Sequence, residues 1–250
     1  MEVRYLGNSA SGRLLAERLR EVDSTKVIHW GTLAGLRGWQ QLERLQDAGL
    51  EVPTWTKDNP MSIDDSAFFA DYGNWVGRCN SHTQGKDIIV YPTITTDIIS
   101  HTNLWYKRIE KWRNSDYWVR WLPEAISAQE WRIHILGGRS IARALKVQVG
   151  EIQPSGRQQG LASPIRSRRL GWRMRHAVEA PKGVRTAAKK AVEALGYPWG
   201  AVDLLVWPKA EEPSIAGRIV VLDVNSMPGL GSPMVIEAWV EGLKEWASKD

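Results

Sequence analysis

The sequence contains a single cysteine, Cys79, which excludes an internal disulfide and fits a reducing compartment. It has no run of about 18 apolar residues, so we expect no membrane-spanning helix. The first seven residues lack the basic-then-apolar pattern of a secretory signal. Internal repeats and low-complexity tracts are also absent. Together these absences favour a cytoplasmic globular protein.

The composition is that of a chain able to bury a sizeable core. Of the 250 residues 43% are hydrophobic, so we expect one compact unit of two or three subdomains. The formal net charge of +5 fits an anionic ligand such as a nucleotide, and it also fits a nucleic acid. Fourteen tryptophans are many for this length, and we interpret most of them as core residues and surface anchors.

The order of the predicted elements indicates an α+β protein. Residues 3–6 and 26–30 are typical of strands, and residues 13–22 and 39–48 have helical periodicity, which makes a βαβα opening. Two later helices are predicted over residues 181–195 and 234–246, whereas residues 150–176 are polar, arginine-rich and without clear periodicity. The remaining predicted strands cover residues 75–78, 87–91, 117–122, 131–136, 139–149 and 200–207, and the run at residues 218–229 is also typical of a strand.

Three oxygen-bearing side chains are predicted to converge on the last two strands. Asp223 and Asn225 share one face of their strand, because successive side chains alternate between faces. If the hairpin turns near Pro213, Asp203 lies opposite Asp223. A lone carboxylate in so apolar a strand costs free energy unless it is paired or bound to a metal. Two carboxylates and an amide oxygen suit a hard cation such as magnesium. The alternative is a pair of solvated acids on a sheet edge, for which both strands are too apolar.

This hairpin, together with the following Pro228-Gly229, resembles the magnesium site of the ATP-grasp superfamily. In that family one acid lies on the first strand and an acid-x-Asn lies on the next. The family more often has glutamate where this chain has aspartate on the second strand. Residues 27–31 and 49–53 also resemble segments of phage and bacterial ATP-grasp proteins of unassigned substrate. The metal ligands that the resemblance implies are Asp203, Asp223 and Asn225.

The loop at residues 78–86 resembles the phosphate-binding loop of that family. Arg78 takes the place of a phosphate-binding lysine at the end of a strand. Ser81, Thr83 and the backbone of Gly85 would cover the β- and γ-phosphates. Backbone N–H groups and hydroxyls bind phosphate oxygens, and glycine permits a close approach. The alternative is an ordinary polar hairpin loop.

Residues 118–123 and 130–133 resemble the segments that border adenine and ribose in the family. Glu130 corresponds to an acid near the ribose hydroxyls. Arg132 corresponds to an arginine near the transferred phosphate or the acceptor carboxylate, and Lys146 would be a further phosphate contact, so these two are the candidate catalytic residues. The alternative for Glu130 and Arg132 is an ordinary surface charge pair. The implied adenine neighbours are Arg120, Trp121 and Leu122.

The segment at residues 157–176 is rich in arginine and supports more than one interpretation. It could close over an anionic substrate or acyl phosphate, or contact a nucleic acid with Trp172 stacking on a base. It could also be a solvated loop. The histidines lack metal-ligand spacing, and Cys79 has no identifiable base. The arginines of the segment are Arg157, Arg166, Arg168, Arg169, Arg173 and Arg175.

The resemblance implies an α+β ATP-grasp fold with three parts. These are a short N-terminal α/β subdomain at residues 1–55, a small lid at 56–122, and a C-terminal antiparallel sheet with helices and the metal site at 123–250. The implied activity is an ATP- and Mg²⁺-dependent ligase that joins a carboxylate to an amine or thiol through an acyl phosphate and releases ADP. Its partners would be ATP and a small carboxylate or peptide acceptor.

The alternative is a nucleotide-binding module without ligase turnover that binds nucleic acid or a protein. Two features favour it. D-Alanine ligases carry an arginine just before the first acidic strand residue, and residues 198–202 contain none. The arginine-rich segment is the second feature, because it would suit an anionic partner.

Overall fold

The computed structural model describes residues 1–5, 9–30, 36–60, 75–79, 89–90, 110–120, 123–149, 166 and 171–248. Ser81, Thr83, Gly85, Trp121 and Leu122 therefore lie outside the described residues. Within the described ranges, no helix is both long enough and apolar enough to cross a membrane.

The chain opens with a small parallel α/β unit, as its βαβα pattern predicts. Strands β1 (Glu2–Tyr5) and β2 (Val27–Trp30) pair in parallel, and helix α1 (Ala10–Leu19) lies between them in sequence. The hydroxyl of Ser9 accepts a hydrogen bond from the backbone N–H of Gly12 over 3.0 Å, which satisfies one of the free donors at the start of α1. Helix α2 (Gly38–Asp47) follows.

A second, four-stranded sheet follows α2. It contains β3 (Trp55–Thr56), β4 (Trp75–Arg78), β5 (Ile89–Val90) and β6 (Tyr117–Arg120) in the order β3-β6-β4-β5, with antiparallel pairing. Buried indole rings of Trp75, Trp112 and Trp118 form its core. We call it the small sheet. The division of the chain at residues 55 and 122 stays a prediction.

The larger, five-stranded sheet is antiparallel and positions the candidate site. Its strands are β7 (Gln129–Leu136), β8 (Arg139–Gln148), β9 (Trp172–His176), β10 (Trp199–Pro208) and β11 (Ala216–Asn225). Their order in space is β11-β10-β7-β8-β9, and we call this the main sheet. Two antiparallel sheets with helices packed against them confirm the α+β class.

Strand β9 was not predicted. Residues 172–176 alternate large or aromatic side chains with two arginines, which is the period of a strand, but the arginine content of the surrounding segment resembles a loop. The alternation fits an edge strand, because Arg173 and Arg175 are exposed whereas the intervening side chains are half-buried.

Strand β11 lies at the other edge of the main sheet, although its apolar character argues against an exposed edge. Its edge is covered instead. The backbone N–H of Val221 donates to the carbonyl of Glu51 over 2.8 Å, and α2 packs beside the strand. The chain segment after α2 therefore covers the edge of β11 at Val221.

Each face of the main sheet carries its own hydrophobic core. Helix α3 (Val184–Ala194) packs on the face that presents Ile133, Val202 and Val221. On the opposite face, helix α4 (Pro233–Ala247) packs together with α1, β1 and β2. There Trp30 contacts Trp199 and Trp239, which confirms a core role for these indoles. The part of this second face that these elements leave uncovered carries the charged residues described next.

Candidate active site

Asp203 and Asp223 are direct partners across the β10–β11 hairpin, in agreement with the predicted register. Ala201 pairs with Asn225 two positions further along. Opposed residues of antiparallel strands project from the same face. The two carboxylates and the amide therefore share the face of the main sheet that lies opposite α3.

A β-bulge makes this arrangement compatible with a buried strand. Asp203 pairs with Asp223, but the next residue, Leu204, pairs with Val221, which leaves Leu222 as an extra residue. Val221 faces the α3 core, so strict alternation would have turned Asp223 to the same apolar side. The inserted residue restores Asp223 to the face of Asp203.

Strand register extends the site into rows that run across the main sheet on this face. The first row contains the acidic pair and Arg132, the second contains Glu130 and Lys146, and the third contains His134. The rows bring residues from distant parts of the sequence within reach of one another. In order from β11, they are Asp223–Asp203–Arg132–Ala144–His176, Val220–Leu205–Glu130–Lys146–Met174 and Asn225–Ala201–His134–Ala142.

Arg132 forms a bidentate ion pair with Asp203. Its Nε and Nη2 donate to Oδ1 and Oδ2 of Asp203, each over 2.7 Å. The side chains are only 24% and 14% exposed. The negative charge of Asp203 raises the pKa of the Arg132 guanidinium, against the opposing effect of burial. Arg132 is thus a fixed cation beside the acidic pair.

Glu130 is buried between two cations and does not form a surface pair with Arg132. It is 7% exposed, and its Oε1 accepts a hydrogen bond from Nζ of Lys146. The Nε of Arg166 lies 3.8 Å from its other oxygen. Burial raises the pKa of Glu130, and the charge of Lys146 opposes that shift. The interpretation of Glu130 and Arg132 as a surface charge pair is therefore wrong.

Arg166 is a site residue that sequence reasoning did not single out. Its guanidinium donates to the carbonyls of Ala128, over 2.9 Å, and Ala125, and it lies 4.8 Å from the centre of the Trp172 ring. No local pattern could identify it, because Glu130 is 36 residues earlier in the sequence. Trp172 presents one face of its ring to this arginine.

Arg173 and Arg175 project from the other side of the main sheet. Their partners on β8 are Val147 and Leu145, and Leu145 packs against the α3 core. Both arginines are exposed. They cannot contact a substrate on the face of Asp203 from this position, so the interpretation of these two residues as part of a closing segment is wrong.

Arg78 approaches the acidic pair from the small sheet. Its Nε is buried and has no hydrogen-bond partner among the described residues, although its side chain hydrogen-bonds the Tyr117 phenol. Burial raises the pKa of Tyr117 to about 12, with Asp223 contributing in the same direction. Arg78, Tyr117 and Asp223 line one small cavity with Gly38 of α2. A Cβ at Gly38 would lie 2.2 Å from the Tyr117 oxygen, so this close approach requires glycine.

The donor set fits magnesium that keeps other ligands. Among the described residues, no group of three or more His, Cys, Asp or Glu could enclose a metal. The opposed carboxylates of Asp203 and Asp223 remain, with the Asn225 amide, whose Oδ1 also accepts the N–H of Met227 over 3.2 Å. Magnesium is commonly bound by one or two carboxylates plus substrate phosphates and water.

Two histidines flank the charged rows. His134 is 2% exposed, and its Nδ1 accepts a hydrogen bond from Nε1 of Trp239 over 3.0 Å. Burial lowers its pKa to about 3, and the positive charge of Arg132 acts in the same direction. The Nδ1 of His176 is buried, and no described residue hydrogen-bonds it. Arg120, at the end of β6, is exposed.

No protein-family profile and no curated protein matches this sequence. Solved structures do match its fold. D-Cycloserine synthetase DcsG superposes with a TM-score of 0.56 at 16% identity, over 94% of each chain. Macrocyclase MdnC of Microcystis aeruginosa MRC, bound with precursor peptide MdnA, gives 0.53 at 17% identity, over 99% of this chain and 80% of its own. ATP-grasp ligase PsnB, with minimal precursor, Mg and ADP, gives 0.51 at 16% identity, over 93% and 66%.

The chain has the ATP-grasp fold. This fold was expected from the resemblance of the β10–β11 hairpin and of the loop at residues 78–86 to that superfamily, and it is confirmed. The chain spans about two thirds of the length of PsnB. Within this ATP-grasp fold, Arg78 comes from the small sheet and the acidic pair from the main sheet. The cavity that Arg78 shares with Asp223 therefore lies where the two sheets meet.

Proposed function

We propose that the protein is an ATP- and Mg²⁺-dependent ligase that joins a carboxylate to an amine, or to a thiol, and releases ADP and phosphate. One observation carries the proposal: Asp223, Asp203 and Arg132 form a row on one face of the main sheet of an ATP-grasp fold. The row combines two acids able to bind a metal with an arginine able to bind phosphate. That combination suits phosphoryl transfer.

Asp203, Asp223 and Asn225 would hold Mg²⁺. When bound, the ion would neutralise charge on the phosphates as the γ-phosphoryl group is transferred. Support for this role comes from the β-bulge at Leu222, which keeps both carboxylates on one face instead of in the apolar core. It also comes from the small number of protein ligands, which leaves room for phosphate oxygens and water.

Phosphate contacts would come from Arg78, Lys146 and Arg132. Arg78 has a buried N–H donor with no partner in the part of the chain that the structure describes, and an anionic oxygen would satisfy it. Lys146 is held by Glu130 on the neighbouring strand, so its ammonium group has a defined position in the second row. Ribose would lie near Glu130. Adenine would contact Arg120, Trp121 and Leu122, and Ser81, Thr83 and Gly85 would cover the phosphates.

The proposed reaction has two steps. An oxygen of the substrate carboxylate attacks the γ-phosphorus, and the bond from that phosphorus to the bridging oxygen of ADP breaks. An amine then attacks the carbonyl carbon of the acyl phosphate, the carbon–oxygen bond to phosphate breaks, and the nitrogen loses its proton. Arg132 would stabilise the negative charge on the transferring group, because a guanidinium binds planar oxyanions with two hydrogen bonds.

A small carboxylate or a peptide is the proposed acceptor. MdnC and PsnB were solved with a precursor peptide and a minimal precursor, respectively, which supports a peptide among the substrates to be tested. The direct test is ADP release by the purified protein with Mg²⁺–ATP and a panel of peptides and amino acids, with the product mass measured. Absence of both ADP release and product across the panel would contradict turnover.

A nucleotide-binding module without turnover is the second candidate. The exposed Arg173 and Arg175 on the outer side of β9 favour it, since they are available to an anionic macromolecule. Binding of a duplex oligonucleotide that weakens steeply with salt would support this candidate, because released counterions drive such binding. Turnover with an acceptor would contradict it.

A further inference from the structure

Both carboxylate oxygens of Asp203 are already occupied. Arg132 donates to each of them over 2.7 Å in the parallel geometry of a guanidinium fork. Charge-assisted pairs of this kind are among the strong hydrogen bonds of proteins, and the limited exposure of both side chains protects this one from solvent screening. Any cation that binds Asp203 must share these oxygens with Arg132 or displace it.

Among the described residues, Asp203 is the acid to which Arg132 donates hydrogen bonds. The charges of Glu130 and Asp223 also act on Arg132, but less than that of Asp203. The neighbour of Arg132 in the row away from Asp203 is Ala144 on β8, which has no polar side chain. Glu130, two residues away on the same strand, is engaged by Lys146 and Arg166. Asp203 is therefore the main counter-ion of Arg132.

A divalent ion beside Asp203 would lie next to a permanent positive charge. An arginine side chain does not lose its proton in proteins, so the repulsion cannot be relieved by titration. It can be relieved if Arg132 gains another anionic partner. The phosphate oxygens of a nucleotide are such partners, and their geometry also suits the guanidinium fork.

We propose that Arg132 acts as an internal cation at the metal site. By binding Asp203, it prevents free Mg²⁺ from binding the Asp203–Asp223 pair until a nucleotide supplies phosphates that Arg132 can bind instead. The inference rests on the proposed function, because it assigns the regulation of the same metal site. Metal and nucleotide then bind with positive coupling, each raising the affinity for the other. Arg78 is placed to assist, since it shares a cavity with Asp223 and has a buried donor to spare.

The test measures Mn²⁺ binding in the absence of nucleotide, from the electron paramagnetic resonance signal of the free ion. Arg132→Gln should bind Mn²⁺ at least about ten-fold more tightly than the wild type, which is about one unit in log Kd. Adding Asp203→Asn to that variant should remove the gain. The matched control is Arg139→Gln, which breaks the exposed Arg139–Glu245 ion pair and should leave Mn²⁺ binding at the wild-type level.

Equal Mn²⁺ affinity of the wild type and a folded Arg132→Gln variant would overturn the inference. The wild type alone also tests it: saturable Mn²⁺ binding without nucleotide, as tight as with a non-hydrolysable ATP analogue, would overturn it even if the variant does not fold. Thermal melts separate the two hypotheses. If the Mn²⁺ test overturns the inference but Mg²⁺ still increases the stabilisation of the wild type by ADP, the proposed metal site stands and only the role of Arg132 is rejected.

Discussion

Asp203 and Asp223 face each other across β10 and β11 because one extra residue, Leu222, interrupts the alternation of β11. The bulge lets β11 bury Val221 against α3 and still present Asp223 on the opposite face. An acid and a core residue two positions apart would otherwise compete for one side of the strand. The candidate metal site thus depends on a backbone irregularity as well as on its side chains.

Deletion of Leu222 should convert the bulge into regular pairing. Val221 and Asp223 would then be consecutive residues on opposite faces, so Val221 should stay against α3 and Asp223 should still face Asp203. The variant should therefore lose only the packing of a half-buried leucine, about 1–2 kcal/mol, and keep its stabilisation by Mg²⁺ with ADP. Leu222→Ala is the matched control, since it loses the same side chain and keeps the backbone. Chemical denaturation and thermal melts of both variants check this. Loss of the Mg²⁺-dependent stabilisation in the deletion variant alone would contradict the prediction.

Mg²⁺ with ATP or ADP should raise the melting temperature, because a ligand that binds only the folded state stabilises it by mass action. The increase should be smaller when Mg²⁺ is removed. Guanine nucleotides serve as the comparison for the proposed adenine contacts. No shift at millimolar adenine nucleotide, together with no heat of binding in calorimetry, would contradict a nucleotide site.

Asp223→Asn and Asn225→Ala should abolish Mg²⁺-dependent turnover while the protein stays folded. Replacing one of two opposed acids relieves repulsion between them, so the unliganded Asp223→Asn variant should be at least as stable as the wild type. Turnover and circular dichroism melts would be measured together. The control Asp23→Asn changes an exposed acid before β2 and should keep wild-type activity. Unfolding of both site variants at room temperature would mean that these residues are structural.

His134 should make the protein less stable in mild acid. Its pKa is about 3 in the folded protein, against an ordinary value of 6.5, so between these values the unfolded chain binds a proton that the folded chain does not. Its contribution is complete above pH 6.5 and is lost as the pH falls toward 3, at about 1.4 kcal/mol per unit as an upper bound. His134→Gln keeps an acceptor for Trp239 without titrating. The unfolding free energy of the wild type should therefore fall relative to that of this variant below pH 6.5. A difference between the two that stays constant with pH would exclude His134 as the source of the acid sensitivity.

Arg166→Ala and Arg173→Ala should differ sharply, although both change the same arginine-rich segment. Arg166 compensates Glu130 and satisfies two backbone carbonyls, so its loss should cost about 1–3 kcal/mol and reduce turnover. Arg173 is exposed on the other side of the sheet, and its removal should change stability by no more than about 0.5 kcal/mol and leave turnover intact. Denaturation and ADP release distinguish them. Loss of salt-sensitive oligonucleotide binding in Arg173→Ala alone would favour the nucleic-acid interpretation.

The sequence by itself determined most of the local elements and the place of the candidate metal ligands on the β10–β11 hairpin. Two apolar runs, the second of which leads into Asp223-x-Asn225, predict two strands. The turn residues between them predict antiparallel pairing. These signals depend only on neighbours along the chain. A turn near Pro213 predicts that Asp203 lies opposite Asp223, but the observed pairing also depends on the register shifts after Asp203 and after Trp207. The ATP-grasp fold, with its α+β class, was expected instead from the resemblance of the hairpin and of the loop at residues 78–86 to that superfamily.

Only the tertiary structure decided which charges meet. The pairs Arg132–Asp203 and Glu130–Arg166 join residues 71 and 36 positions apart, and their contact depends on sheet order and on the path of the chain after β8. The bulge at Leu222 and the edge position of β9 are equally non-local, since each is set by what packs against the strand. Local sequence patterns indicate which side chains share a face of one strand. The partners that neutralise them are fixed by packing between distant strands, where burial makes each unpaired charge costly.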